Sequence, residues 1–152
     1  MRIDDDMKLD YKDVLIRPKR STLESRKEVD LERKFIFLNY SPDYPNSTGP
    51  YNYEGIPIMA ANMDGVGTFE MADKLSLESA FTCLVKTYSV NDLVDYFDSD
   101  NVLRTEYTAM SIGISDRDHE KFRTVYEQVD DQLKYVCIDV ANGYTVRFSN
   151  FI

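Results

Sequence analysis

The stretch that decides the fold runs Ile56-Pro57-Ile58-Met59-Ala60-Ala61-Asn62-Met63-Asp64-Gly65. Its first six residues are apolar without alternation, and polar residues and a glycine follow at once. A short, uniformly apolar run is the mark of a parallel strand covered on both faces. Thr68 to Ser79 comes next, with Phe69, Ala72 and Leu75 on one side, a pattern that predicts a helix. Strand, polar loop and helix together make a βα unit.

The same unit recurs outward from this point. Phe81–Lys86, Tyr107–Ile112 and Tyr135–Val140 are further short apolar strands. Between them, Val90, Leu93, Val94 and Phe97 follow a helical spacing behind Ser89 as N-cap, and Phe122, Val125, Tyr126 and Val129 repeat it behind Ser115 or Asp116. Strand starts recur about every 25 residues, as successive βα units require. Four parallel strands are expected in the order 1-2-3-4 with helices on one side. Each strand ends in chemistry-bearing residues: Asn62–Gly65, Lys86-Thr87, Gly113-Ser115 with Ile114 between, and Asp139–Gly143. In parallel α/β folds that end binds ligands. The chain has no Gly-rich Rossmann fingerprint and no Walker loop, which favours part of a (β/α)8 barrel over a doubly wound sheet.

Around this core, residues 1–38 form a charged N-terminal segment. Residues 39–55 read as a long surface loop, with three of the five prolines and four tyrosines. Residues 56–152 hold four βα units, the last incomplete, in a single partial-barrel domain. The net charge of −9 argues against nucleic acid. No apolar run approaches the ~20 residues of a membrane helix, and MRIDDDMKLD has no secretory pattern, so a cytoplasmic location is expected. Cys83 and Cys137 lie inside apolar runs without metal-like spacing and read as buried structural thiols. His119, in DRDHEKF, reads as a surface residue of a helix, and no metal site is expected.

Three segments carry a resemblance. MRIDDDMKLDYKDVLIRPKRSTLESRKEVDLER (1–33), GIPIMAANMDGVGTFEMA (55–72) and YVCIDVANGY (135–144) resemble the GMP reductases, in that order along the chain. That family shares a (β/α)8 TIM barrel with IMP dehydrogenase. The resemblance implies the N-terminal half of such a barrel, preceded by an N-terminal extension. It also implies the family reaction, in which NADPH reduces GMP to IMP and ammonia after a cysteine attacks the purine. The loop that carries this cysteine matches nothing in the 152 residues, so the chain is expected to be inactive alone. An IMP dehydrogenase fragment, or a half-barrel that binds nucleotide or assembles without chemistry, is the alternative.

The resemblance also assigns residues. Lys86 takes the place of a catalytic, cofactor-contacting lysine, though the histidines that flank it in the family are here Val85 and Thr87. Asp139, Val140 and Ala141 correspond to an NADPH-contacting strand end, and Ser25 and Arg26 to a pair touching the cofactor. Met63 and Asp64 fall beside the GMP/IMP pocket. Gly65 stands where the family usually has threonine, which is expected to loosen the loop. From the residues alone, Lys86 reads as a solvated strand-end lysine, and Asp139 reads equally as the cap of a helix beginning near Tyr144. Open strand edges at Ile56–Ala61 and Tyr135–Val140 predict a homo-oligomer or a complementary C-terminal half as partner.

Overall fold

The computed structural model describes residues 6–37 and 52–152, which fall into two compact units divided between Asp30 and Leu31. Within the first, two single 3-10 turns are held by local caps. The Asp10 carboxylate accepts from the backbone N–H of Tyr11, and Asp13 accepts from that of Asp10. Ser25 Oγ accepts from the N–H of Lys27 at 3.2 Å, capping the turn Arg26–Glu28.

Among the described residues, the second unit is an α/β layer built on five strands: β1 (Arg33–Ile36), β2 (Asn52–Ala60), β3 (Ala80–Cys83), β4 (Thr108–Ile112) and β5 (Tyr135–Ile138). They lie side by side in chain order. β1 runs antiparallel to β2, and β2 through β5 are parallel. The four parallel strands are the four expected from the sequence. β1 is an addition, and so is the start of β2, because Asn52–Gly55 pairs with Arg33–Ile36 instead of lying in a loop. The remainder of the expected loop falls outside the described residues. Local composition marked 52–55 as loop, whereas a partner some twenty residues earlier in the chain makes it a strand.

Five helices connect or follow the strands: α1 (Phe69–Ser76), α2 (Val90–Phe97), α3 (Val102–Tyr107), α4 (Asp116–Val129) and α5 (Val146–Phe151). Caps set their starts. Thr68 Oγ1 accepts from the Met71 N–H, and Thr145 Oγ1 from that of Phe148. Ser89 with Asp92 and Ser115 with Asp118 form reciprocal capping boxes. α3 has no apolar periodicity to announce it. It rests on its Asn101 cap and ends at Tyr107, so β4 begins one residue later than expected.

Side chains alternate across the sheet. Leu84, Met110 and Ile112 face Ala72 of α1, Leu93 and Phe97 of α2, and Val125 and Val129 of α4 in one buried core. Phe81, Cys83 and Ala109 form a second cluster with Tyr53, Tyr107, Tyr135 and Cys137 on the other face. Arg104 of α3 grips both carboxylate oxygens of Asp73 in α1, at 2.9 and 3.0 Å, while lying 4.4 Å over the ring of Tyr96 in α2. This planar fork links three helices at once. Burial of Tyr96 pushes its hydroxyl up to about 12.

Candidate functional site

The carboxyl ends of the parallel strands gather the expected residues of the second unit. After β3 the backbone stays tied for two more residues, Leu84 N–H bonding Ala109 O of β4 at 2.9 Å and Val85 N–H bonding Gly67 O of the loop after β2 at 2.8 Å. Lys86 therefore emerges from a fixed strand end. After β5, Asp139 N–H still bonds Ile112 O at 2.7 Å. These two extensions bring Lys86 Nζ to 3.1 Å from Asp139 Oδ2. Both side chains keep about half their surface in solvent, 50% and 40%. A pair that exposed contributes roughly 0–1 kcal/mol to stability, so it leaves both groups available to a ligand.

The supports of this pair went unread in the sequence. Lys121 of α4 donates from Nζ to the carbonyl oxygen of Lys86 at 2.9 Å and also to that of Tyr88. It thereby pins the turn on which Lys86 sits. Burial lowers the Lys121 pKa against the pull of the Asp118 carboxylate. Asp118 accepts from both the N–H and the hydroxyl of Ser115, and its carboxyl is held below the ordinary range by those bonds, with a further contribution from the Lys86 charge. Gly113 makes room for this carboxylate, since a Cβ there would stand 2.6 Å from Asp118 Oδ2. The Ser-x-x-Asp spacing from 115 was the available signal for Asp118. For Lys121 there was none, because DRDHEKF reads only as a charged face.

Asn62–Gly65 follows β2, the strand next to β3. Met63 is 63% exposed and Asp64 is exposed. Asn62 Nδ2 is buried without a hydrogen-bond partner. The loop closes on Met63 O, which accepts from the N–H groups of Val66 and Gly67. Gly67 fits beneath it because a Cβ there would meet Cys83 O at 2.4 Å. Val140 is half-buried and Ala141 exposed. Asp139 does not cap the next helix: that role belongs to Thr145, with Asn142 Oδ1 accepting from the Tyr144 N–H one turn earlier. Ser25 and Arg26 lie in the other unit. Among the described residues, no group of three or more His, Cys, Asp or Glu side chains gathers to hold a metal. Also among them, no helix is long and apolar enough to cross a membrane.

No family model matches the chain. Individual proteins do. The chain is 48% identical to human GMP reductase 1 over 151 residues, 49% identical to bovine GMP reductase 2 over 150, and 47% identical to the GMP reductase of Citrobacter koseri over 154. These alignments take in 99–100% of the chain and 40–41% of each relative, so the chain spans about two fifths of their length. Among solved structures, the inosine 5′-monophosphate dehydrogenase of Legionella pneumophila superposes with a TM-score of 0.66 at 18% identity, over 92% of this chain and 38% of that one. That likeness concerns the fold, whose mostly parallel sheet it shares. The chain is homologous to GMP reductases along its whole length.

Proposed function

We propose that this chain supplies the strand-end part of the nucleotide and cofactor site of a cytoplasmic GMP reductase-like enzyme, one that converts GMP to IMP and ammonia with NADPH. The observation that carries the reading is the Lys86–Asp139 pair, placed at 3.1 Å by two strands of a chain 48% identical to a GMP reductase. The residues fit a dinucleotide. A half-exposed cation and carboxylate face solvent together, and Asn62 Nδ2 lacks a partner nearby in the same layer of strand ends.

NADPH, when bound, supplies the hydride. The chain's own residues bind and orient. In this reading the Asp139 carboxylate accepts hydrogen bonds from sugar hydroxyls or the carboxamide, with Val140 and Ala141 shaping the strand end beside it. The Lys86 ammonium balances anionic charge and stands beside the departing ammonia. Without flanking histidines its proton traffic passes through solvent or Asp139. Met63 and Asp64 line the purine nucleotide side. In this reading residues 1–152 bind the nucleotides, and none of these residues is assigned as the nucleophilic cysteine of the reaction.

Titration of NADPH into the purified chain, followed by ligand-observed NMR, tests the assignment. Binding should weaken in both Lys86→Met and Asp139→Asn. Binding that neither substitution changes overturns it. NADPH oxidation in the presence of GMP should be absent, and turnover abolished by Cys83→Ala or Cys137→Ala would show that a thiol of this chain is the nucleophile after all.

A further inference from the structure

Behind Lys86 stands a second lysine whose charge is spent on main chain. Lys121 of α4 gives its ammonium to two carbonyl oxygens of the turn after β3, Lys86 O at 2.9 Å and Tyr88 O. An ammonium has three donors and no acceptor, and each bond from it is charge-assisted. Uncharged groups hold the same turn from its other flank. Val85 N–H bonds Gly67 O at 2.8 Å. The Tyr88 hydroxyl accepts from the Phe69 N–H at 3.3 Å, and its ring stacks on Phe69 at 3.9 Å. The loop and helix after β2 thus grip residues 85–88 on one side, and α4, which follows β4, grips them on the other.

The helix period explains how Lys121 comes to stand there. Asp118, Lys121 and Val125 are spaced three and four apart, so they form one stripe of α4. Val125 is fully buried in the core, which turns that stripe toward the sheet. At the other end of the stripe, Asp118 is fixed in the capping box with Ser115. Lys121 therefore rises half-buried from a helix held by a cap above and by the core below. Lys86 has no such support of its own. Its side chain is half in solvent and meets Asp139 at 3.1 Å. A long, flexible side chain of that kind keeps many rotamers, so the place of its ammonium depends on where its backbone is held.

We propose that Lys121 is a positioning residue for the NADPH site: by holding the Lys86 and Tyr88 carbonyls it sets where the Lys86 ammonium stands against Asp139. The inference rests on the reading of Lys86 and Asp139 as the cofactor-facing pair. Lys121 acts only through the turn, because its ammonium is turned onto main chain. Its contribution is preorganisation: a turn already fixed on both flanks loses less freedom when a ligand binds. A lysine that merely tied α4 to the sheet would give stability and leave cofactor affinity alone.

The test combines NADPH affinity, read by ligand-observed NMR on the 152-residue chain, with the urea midpoint of each variant. Lys121→Met should weaken NADPH binding by on the order of tenfold. Lys121→Arg, which keeps a cation with N–H donors, should recover most of that loss. Val125→Ala loosens the same helix in the core, and should lower the urea midpoint without changing NADPH affinity. In a Lys86→Met background, Lys121→Met should cost almost no further affinity, since residues that act through one another are not additive. Equal affinity in Lys121→Met and wild type overturns the proposal, as does a full additional loss in the double variant. So does an affinity that follows the urea midpoint through Val125→Ala. Circular dichroism checks folding, and if Lys121→Met does not fold, Lys121→Gln decides, because its shorter neutral amide should lose affinity in the same direction. A wild-type chain that does not bind NADPH would overturn the cofactor reading instead. Positioning is then read without ligand from 13C relaxation of Lys86 Cε, whose order parameter should fall in Lys121→Met and return in Lys121→Arg. An order parameter unchanged by Lys121→Met overturns the positioning role.

Discussion

Gly65 adopts φ +73°, and no atom lies within 4 Å of where a Cβ would stand. The cost of a side chain there is therefore conformational and not steric. Glycine in place of threonine was expected to loosen this loop. Its left-handed backbone serves the turn in which Val66 and Gly67 both bond Met63 O. Gly65→Ala should destabilise the chain by about 1 kcal/mol, the left-handed penalty less the gain from a stiffer unfolded chain. A urea midpoint unchanged or raised would show that the turn does not need the left-handed residue. At this scale the sequence was legible for strand-end residues, because polarity changes abruptly at Asn62, Lys86 and Asp139. It was silent on Lys121, whose role depends on which strands and helices become neighbours.

The helix starts were the most legible elements, since a cap is a local event. Ser89 was read as a cap directly, and Ser115 was one of two candidates. The missed elements, β1 and α3, owe their existence to a distant partner or a six-residue length, neither of which leaves a periodic trace. The two capping boxes carry a pH signature. Asp92 and Asp118 both have carboxyls lowered by hydrogen bonds from Ser89 and Ser115. A lowered folded-state pKa means that the stabilisation is fully present above the unfolded value of about 3.9 and is lost as pH falls through the lower folded value. The urea midpoint should therefore fall on acidification below about pH 4. In Asp118→Asn that fall should be shallower, and a midpoint with the same slope in the variant would contradict the assignment. At neutral pH, Ser115→Ala should cost about 1 kcal/mol through loss of the α4 cap. That loss should also loosen the Lys86 turn that Lys121 of the same helix pins.

For the molecule as a whole, the parallel order and the helix-covered face followed from even spacing and the right-handed crossover rule. The sheet's edges did not. The edge at Ile56–Ala61 was expected to be open, but β1 closes β2 along Asn52–Gly55. Among the described residues, Ile56–Ala60 keeps a partner on the β3 side alone, and β5 pairs on the β4 side alone. Apolar groups lie beside both lines: Ile58 is 66% exposed, Met59 60% and Val136 37%. An apolar groove lined by Phe35, Phe37, Tyr53, Ile58 and Tyr135 adjoins them. Unpaired edges invite pairing with another chain. Each 100 Å² of apolar surface covered there gains about 2.5 kcal/mol, large against a stability of ~5–15 kcal/mol. The net charge of −9 opposes indiscriminate aggregation, since it is spread over the chain, but it does not satisfy strand edges. The 152-residue polypeptide should therefore associate at micromolar concentration, with a sedimenting mass above the 17.7 kDa of one chain. Ile58→Lys puts a charge on the exposed part of β2 and should shift the population toward the monomer without loss of helical circular dichroism. A wild-type chain that sediments as a compact monomer and unfolds cooperatively would show that β1 and the residues around it protect the edge unaided.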